Sequence, residues 1–258
     1  MSLRKAETRW AATEPRQRLA FGVDPSRPHA YSLRQSRYEA VADDISRWAG
    51  EAAAAGRKLS LLDVGSAWGV LLCHLEAKPH CGAVAISAAD VVDTAAFIRE
   101  RYERFVLGDL TQGYPEIASE AFDVVVCEQV LEHLEDLDRA LATLDRVLKP
   151  GGKLVLGVPV FLPPLHLIRK HVLPPLFRLL PVRDLGTHHQ AFSLYSFLAE
   201  VRHRLPHLEL AQVRGFRIIS GGLLAPLENY RWWWRLNRRL GEWIPAACIE
   251  IQAIFEKP

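Results

Sequence analysis

The chain has 258 residues, 49% of them hydrophobic and 24% charged, a balance that fits a soluble globular protein and excludes a disordered tail or a fibrous repeat. Its four cysteines (Cys73, Cys81, Cys127, Cys248) form no C-x-x-C pair, so neither a disulfide framework nor a zinc knuckle is indicated, and a reducing cytosol is expected. The net charge of +2 is unevenly spread, with 12 Lys/Arg against 4 Asp/Glu in residues 160–240. Met1 to Trp10 lacks an apolar stretch behind its basic residues, which argues against a signal peptide. No apolar run reaches the roughly 18 residues of a spanning helix. One core with insertions, in a cytoplasmic protein, is the expectation.

Residues 32–55 place Tyr38, Val41, Ile45 and Trp48 at helical spacing and stop at Gly56. KLSLLDVG then reads as a strand apolar on both faces, followed by a helix over 70–77. The unit repeats: strand 82–87, helix 88–103, strand 104–109, strand 122–127, helix 134–148, a breaker at Lys149-Pro150-Gly151-Gly152, and strand 153–158. After Pro159 the rhythm breaks. Five prolines interrupt residues 160–185, before a helix at 193–204, a strand near 208–219, a Trp-rich segment at 230–243 and a last strand at 249–256. Apolar strands alternating with helices predict an α/β, doubly wound, mainly parallel sheet.

Asp63-Val64-Gly65-Ser66-Ala67-Trp68-Gly69 falls at a strand-to-helix turn, where small residues let the backbone approach a nucleotide-type ligand. Counting G-x-G-x-x-G from Gly65 gives Ala67 and Val70 where glycines should stand, which disfavours a dinucleotide.

LLDVGSAWG resembles the first motif of class I S-adenosylmethionine-dependent methyltransferases. Residues 122–159, FDVVVCEQVLEHLEDLDRALATLDRVLKPGGKLVLGVP, are similar almost position by position to the fourth strand, fourth helix and fifth strand of the type 11 methyltransferase group. FVLGDL (105–110) and HHQAFSLYSFLAEV (188–201) resemble further segments of it. The resemblance implies a seven-stranded Rossmann-like sheet and S-adenosylmethionine as cofactor. It sets the cofactor against Asp63, Gly65, Ser66, Ala67 and Gly69, and against Asp109 and Leu110 on the adenine side. Glu128 and Gln129 follow at the end of the fourth strand. The position expected to carry the ribose-binding acid, at the end of the second strand, falls on Ala85 beside Ile86. Losing that carboxylate would cost about 1.5–3 kcal/mol of cofactor binding unless Ser87, Asp90 or Asp93 takes its place.

Some relatives hold a divalent ion with Glu, Glu and His where this chain has Gln129, Glu132 and His133. An amide is a poor ligand beside a carboxylate, so no metal is expected, and Glu132 and His133 have helix capping as their plain alternative. His133 and His189, the latter beside His188, are the candidate general bases, since an unperturbed imidazole titrates near ~6.5.

The expected layout is an N-terminal helical segment (1–57) and a methyltransferase domain (58–258) with insertions at about 160–187 and 221–245. The first insertion mixes bulky apolar residues with Arg169, Lys170 and Arg178. The second, ENYRWWWRLNRRLGEW, holds four tryptophans and four arginines. Such rings and cations suit a lipid headgroup boundary or a sugar, and the plain alternative is a packed subdomain. The resemblance therefore implies O-methylation of a small-molecule, glycan or lipid-linked acceptor under a lid. Peripheral contact with the inner face of a membrane is the associated expectation. A catalytically silent scaffold is the rival that Ala85 motivates. Nucleic-acid binding is not expected, because no base-stacking motif accompanies the charge.

Overall fold

The structure, a computed structural model, describes residues 32–67, 69–92, 99–162, 190–218, 220 and 222–258. Seven strands, β1 (Leu59–Val64), β2 (Val84–Asp90), β3 (Arg104–Leu107), β4 (Phe122–Glu128), β5 (Leu148–Pro159), β6 (Glu209–Phe216) and β7 (Glu250–Glu256), form one sheet. Their order is β3-β2-β1-β4-β5-β7-β6, with β7 antiparallel to both its neighbours and all other pairs parallel. This is the doubly wound sheet the alternating pattern predicts.

Helices α1 (Ser36–Ala54), α2 (Val70–Glu76), α3 (Leu137–Val147), α4 (Leu194–Arg204) and α5 (Arg231–Trp243) flank it. Side chains alternate across the sheet, so Leu61, Val124, Val126 and Ile254 join α1 and α2 in one buried cluster. Leu62, Val125, Cys127 and Phe255 join α3 and α4 in the other. The first helix thus belongs to the same core as the sheet, its Val41, Ile45 and Trp48 packed against Leu59 and Leu61.

Several boundaries differ from expectation, and β5 opens at Leu148, running through the expected breaker at Lys149–Gly152 with a register shift against β4. The helix anticipated at 134 opens at Leu137, because Asp136 is its N-cap and accepts a hydrogen bond from the Arg139 N–H at 3.0 Å. Glu132 and His133 therefore do not cap it; they lie in a separate 3-10 turn, Leu131–His133. The second strand runs three residues past the expected Ser87, with Ala88 and Ala89 pairing with Asp63 and Val64. Helix α4 starts where expected, on a reciprocal cap between Ser193 and Ser196.

Candidate active site

Parallel strands end together at their carboxyl edge, and there the backbone must turn sharply into each following segment. After β1, Gly65 takes φ +71°, and a Cβ on it would stand 2.2 Å from Val130 Cγ2, so glycine is required twice over. Ala67 also has positive φ, 43°, a conformation alanine adopts only when held. Asp90 supplies the hold: its Oδ2 accepts the Ala67 N–H at 2.7 Å, while Oδ1 accepts the Val92 N–H at 3.1 Å.

This register corrects the expected ribose-acid position. Ala85 is the second residue of β2, opposite Ser60 at the amino end of the sheet, and Ile86 beside it is buried in the core under α1. Neither can reach a ligand at the carboxyl edge. Since Val64 pairs with Ala89, the residue level with Gly65 is Asp90, and the strand ends on a carboxylate after all.

Four further acids lie at this edge beside Asp90. Asp63 is buried in β1, and burial, with help from Asp90 and Glu128, pushes its carboxyl up to about 8. Glu128 ends β4 and is raised to about 7 by burial, against the opposing pull of Arg37. Glu132 is buried in the turn after β4 and raised to about 8, again by burial first, with Glu128 adding to it. Asp109, after β3, commits Oδ1 to the N–H and hydroxyl of Thr111, both at 2.8 Å, with Leu110 buried beside it.

Glu128 is the most elaborately seated. Gln252 Nε2 in β7 donates to its Oε1 at 2.6 Å, and Arg37 Nε in α1 lies 3.4 Å from its Oε2. Arg37 also donates to Glu250 Oε2 at 2.9 Å, and Arg214 donates to Gln252 Oε1 at 2.8 Å. Gly157 in β5 makes room, since a Cβ there would stand 2.2 Å from Glu128 Oε1. Next in the chain, Gln129 adopts φ 58° and its side-chain Nε2 is buried without a hydrogen-bond partner.

His133 is partly exposed at this edge, with its Nε2 3.9 Å from Glu132 Oε1. Across the opening, the Gln190 N–H donates to the Glu132 carbonyl at 3.0 Å and the Phe161 N–H donates to the Phe192 carbonyl at 2.8 Å. Phe161 and Gln190 are thereby fastened at the same edge of the sheet. His188, His189, Arg169, Lys170 and Arg178 lie outside the described residues, as does Asp93. Among the described residues no group of three or more His, Cys, Asp or Glu side chains is arranged to hold a metal ion.

The donor set suits a positively charged ligand. Buried carboxylates that share one arginine raise one another's pKa, and a sulfonium or ammonium placed among them would relieve that repulsion. Ser66 Oγ, Gln129 Nε2 and Glu132 Oε2 are buried without hydrogen-bond partners, leaving polar capacity that a bound polar molecule can use. S-adenosylmethionine, a sulfonium joined to a nucleoside and an amino acid, fits these residues. Asp63, Ser66, Glu128 and Gln129 are the residues that could hold its charged end, and Asp90 and Asp109 those that could hold its nucleoside.

The chain matches the family described as "Methyltransferase domain" over residues 62–156. A ubiquinone biosynthesis O-methyltransferase of Xanthomonas oryzae pv. oryzae (strain PXO99A) is 31% identical over 172 residues, 66% of this chain and 68% of that protein. The protein of the same description from Methylococcus capsulatus is 36% identical over 109 residues, 38% of this chain and 41% of its own length. With the one from Pseudomonas syringae pv. tomato, 28% identical over 136 residues, the match spans 56% of the relative. Among solved structures, a candidate methyltransferase of Bacillus halodurans C-125 superposes with a TM-score of 0.51 at 18% identity, over 78% of this chain and 93% of that one. The [4+2]-cyclase SpnF superposes with the same score, 0.51, at 20% identity over 84% and 81% of the two chains. These two likenesses are of fold alone. The chain belongs to the class I S-adenosylmethionine-dependent methyltransferases, whose methyl donor is S-adenosylmethionine.

Sequence reasoning named Asp90 only as one of three substitutes, past an expected strand end at Ser87, and it missed Arg37 and Gln252 altogether. Asp90 was within reach of one signal: a second strand in register with β1 must run as far as Gly65 does. Nothing local marks Arg37 or Gln252, which meet Glu128 from positions 91 and 124 residues away in the chain.

Proposed function

We propose that the protein transfers the methyl group of S-adenosylmethionine to a hydroxyl oxygen on a small ring compound, of the kind made in quinone biosynthesis. The observation that carries this reading is the crowd of buried acids, Asp63, Glu128 and Glu132, at the strand ends beside Asp90. The Xanthomonas relative, aligned over most of both chains, supplies the oxygen acceptor. A lipid-linked or otherwise amphiphilic acceptor is the finer form of the proposal, because the sequence between Phe161 and Gln190, two residues held at this edge, is rich in apolar and basic residues.

The cofactor supplies an electrophilic methyl group, and methyl transfer depends chiefly on in-line positioning. His133 stands where it can take the acceptor's proton on its imidazole, with the buried Glu132 carboxyl 3.9 Å from its Nε2. Gln129 and Ser66 hold polar groups of the ligand, and β4 and β5 exclude water beneath them. The scaffold rival rested on Ala85, and Asp90 at the strand end removes that ground.

The test is incubation with methyl-labelled S-adenosylmethionine and a panel of dihydroxylated aromatic compounds with and without an isoprenoid tail. Label on a ring oxygen, lost in His133→Ala, is the expected result. Cofactor binding without transfer to any hydroxylated ring would overturn the reading.

A further inference from the structure

Helix α5 carries two apolar faces where a helix on the surface of a globular protein needs one. The inner face is satisfied. Trp233 and Trp234 are only 6% and 4% exposed, and Leu33 packs on them with Leu227 and Tyr230. Gly241 lets β6 approach so closely that a Cβ on it would stand 1.8 Å from the Gly215 carbonyl oxygen. These two tryptophans, expected from sequence to contact a ligand or membrane, are therefore packing residues.

The outer face remains. Trp232, Leu236 and Trp243 are 37%, 38% and 81% exposed, and at 100° per residue they fall within about 40° of one another on the helix. Ile244, 50% exposed, extends the stripe past the helix end. Arg235 and Arg239 border it on one side, both exposed, and neither makes an ion pair among the described residues. The acid on that flank, Glu242, faces Arg238 at 3.9 Å. Tryptophan and leucine in line, with arginine alongside, is the pattern of a helix lying in the headgroup layer of a bilayer. Self-association through the stripe would instead gather arginines from both copies at one interface, a like-charge arrangement that an anionic surface relieves.

Helix α5 also stands near the crevice. Leu33 touches the inner face of α5, and four residues later Arg37 pairs with Glu128 at the end of β4.

We propose that the outer stripe of α5, Trp232, Leu236, Trp243 and Ile244 with Arg235 and Arg239, seats the protein on an anionic lipid bilayer. This deepens the amphiphilic-acceptor reading, since a membrane-borne ring compound would reach the crevice from that surface. No helix among the described residues is long and apolar enough to cross a membrane, so the attachment is peripheral and reversible.

The experiment is sedimentation of the full chain with vesicles of phosphatidylcholine alone or mixed with phosphatidylglycerol, containing no acceptor. Binding to the mixed vesicles is expected, weakened by salt, and reduced tenfold or more in Trp243→Ala and in Arg235→Glu/Arg239→Glu. All three positions are exposed, so these variants should fold, which unchanged melting temperatures would verify. A wild-type protein that stays in the supernatant at low ionic strength overturns the proposal. So does equal binding by the variants, or a dimer in solution that Trp243→Ala converts to monomer. Loss of docking with methylation of a soluble ring compound intact would leave the functional reading standing, and docking without methylation would remove only the latter.

Discussion

The carboxylate of Asp90 accepts the backbone N–H of Ala67 at 2.7 Å, tying the last residue of β2 to the glycine-containing turn after β1. One side chain thereby holds a positive-φ alanine in place and stands level with Gly65 on the carboxyl edge. Both tasks need an acceptor with two oxygens. Asp90→Ala is expected to weaken S-adenosylmethionine binding about 10- to 100-fold, the equivalent of losing charge-assisted hydrogen bonds worth ~1.5–3 kcal/mol. Ala85→Asp, at the amino end of the same strand, should not tighten it. Titration calorimetry on the two variants separates the positions, and a tighter Ala85→Asp protein would restore the sequence-based placement.

What could be read from the sequence follows from side-chain size. Strand β4 and helix α3 carry large apolar residues at clear periods, so their existence and order were legible, and so was the loop from Asp63 to Gly69; the expected breaker at Lys149–Gly152 instead lies within β5, where the register against β4 shifts. The end of β2 was not, because Ala88 and Ala89 carry little strand signal and were assigned to a helix. They pair with β1 because their small side chains fit a fully buried position, a tertiary demand with no local mark. The seat of Glu128 was hidden for another reason. Strand β7 inserts between β5 and β6 from the end of the chain, and only that topology brings Gln252 beside β4's last residue.

The raised carboxyls at the crevice make ligand binding a proton-linked event. Asp63, at about 8, and Glu128, at about 7, are partly protonated near neutral pH in the free protein. A cationic ligand favours their ionised forms, so binding releases protons and tightens as pH rises from about 6 to 8. Calorimetry in two buffers of different ionisation enthalpy would count the protons released. The free protein behaves oppositely. A folded carboxyl pKa above its unfolded value contributes stability that is fully present below about 4 and lost as pH rises towards 8, so the benefit of added cofactor to the melting temperature should grow across that window.

Seating Glu128 has a stability consequence. Gln252 is fully buried and divides its amide between Arg214 and Glu128, with a third bond from Nε2 to the Arg37 carbonyl at 3.1 Å. Gln252→Leu keeps the volume and strands these partners. A loss of about 1–3 kcal/mol is expected, lowering the melting temperature by several degrees. Gly157→Ala should act on the same carboxylate from the other side, by displacing it and weakening cofactor binding. A neutral Gln252→Leu would show that Arg37 and Arg214 suffice.

Glu132 and His133 differ from Asp63 and Asp90 in where they stand: Glu132 is buried with Oε2 unpartnered, and His133 is partly exposed at the opening. A group that serves the acceptor rather than the cofactor should change turnover and leave cofactor affinity alone. His133→Ala is therefore expected to lower kcat at least tenfold with an unchanged dissociation constant for S-adenosylmethionine. Glu132→Gln, which keeps the size of the buried side chain beside His133, should lower kcat less than His133→Ala does. With Gln129 in place of a third acid, chelator treatment should leave kcat unaltered. Activity lost to the chelator and restored by magnesium or zinc would instead make Glu132 and His133 ligands, and the histidine could then no longer serve as the general base proposed for it.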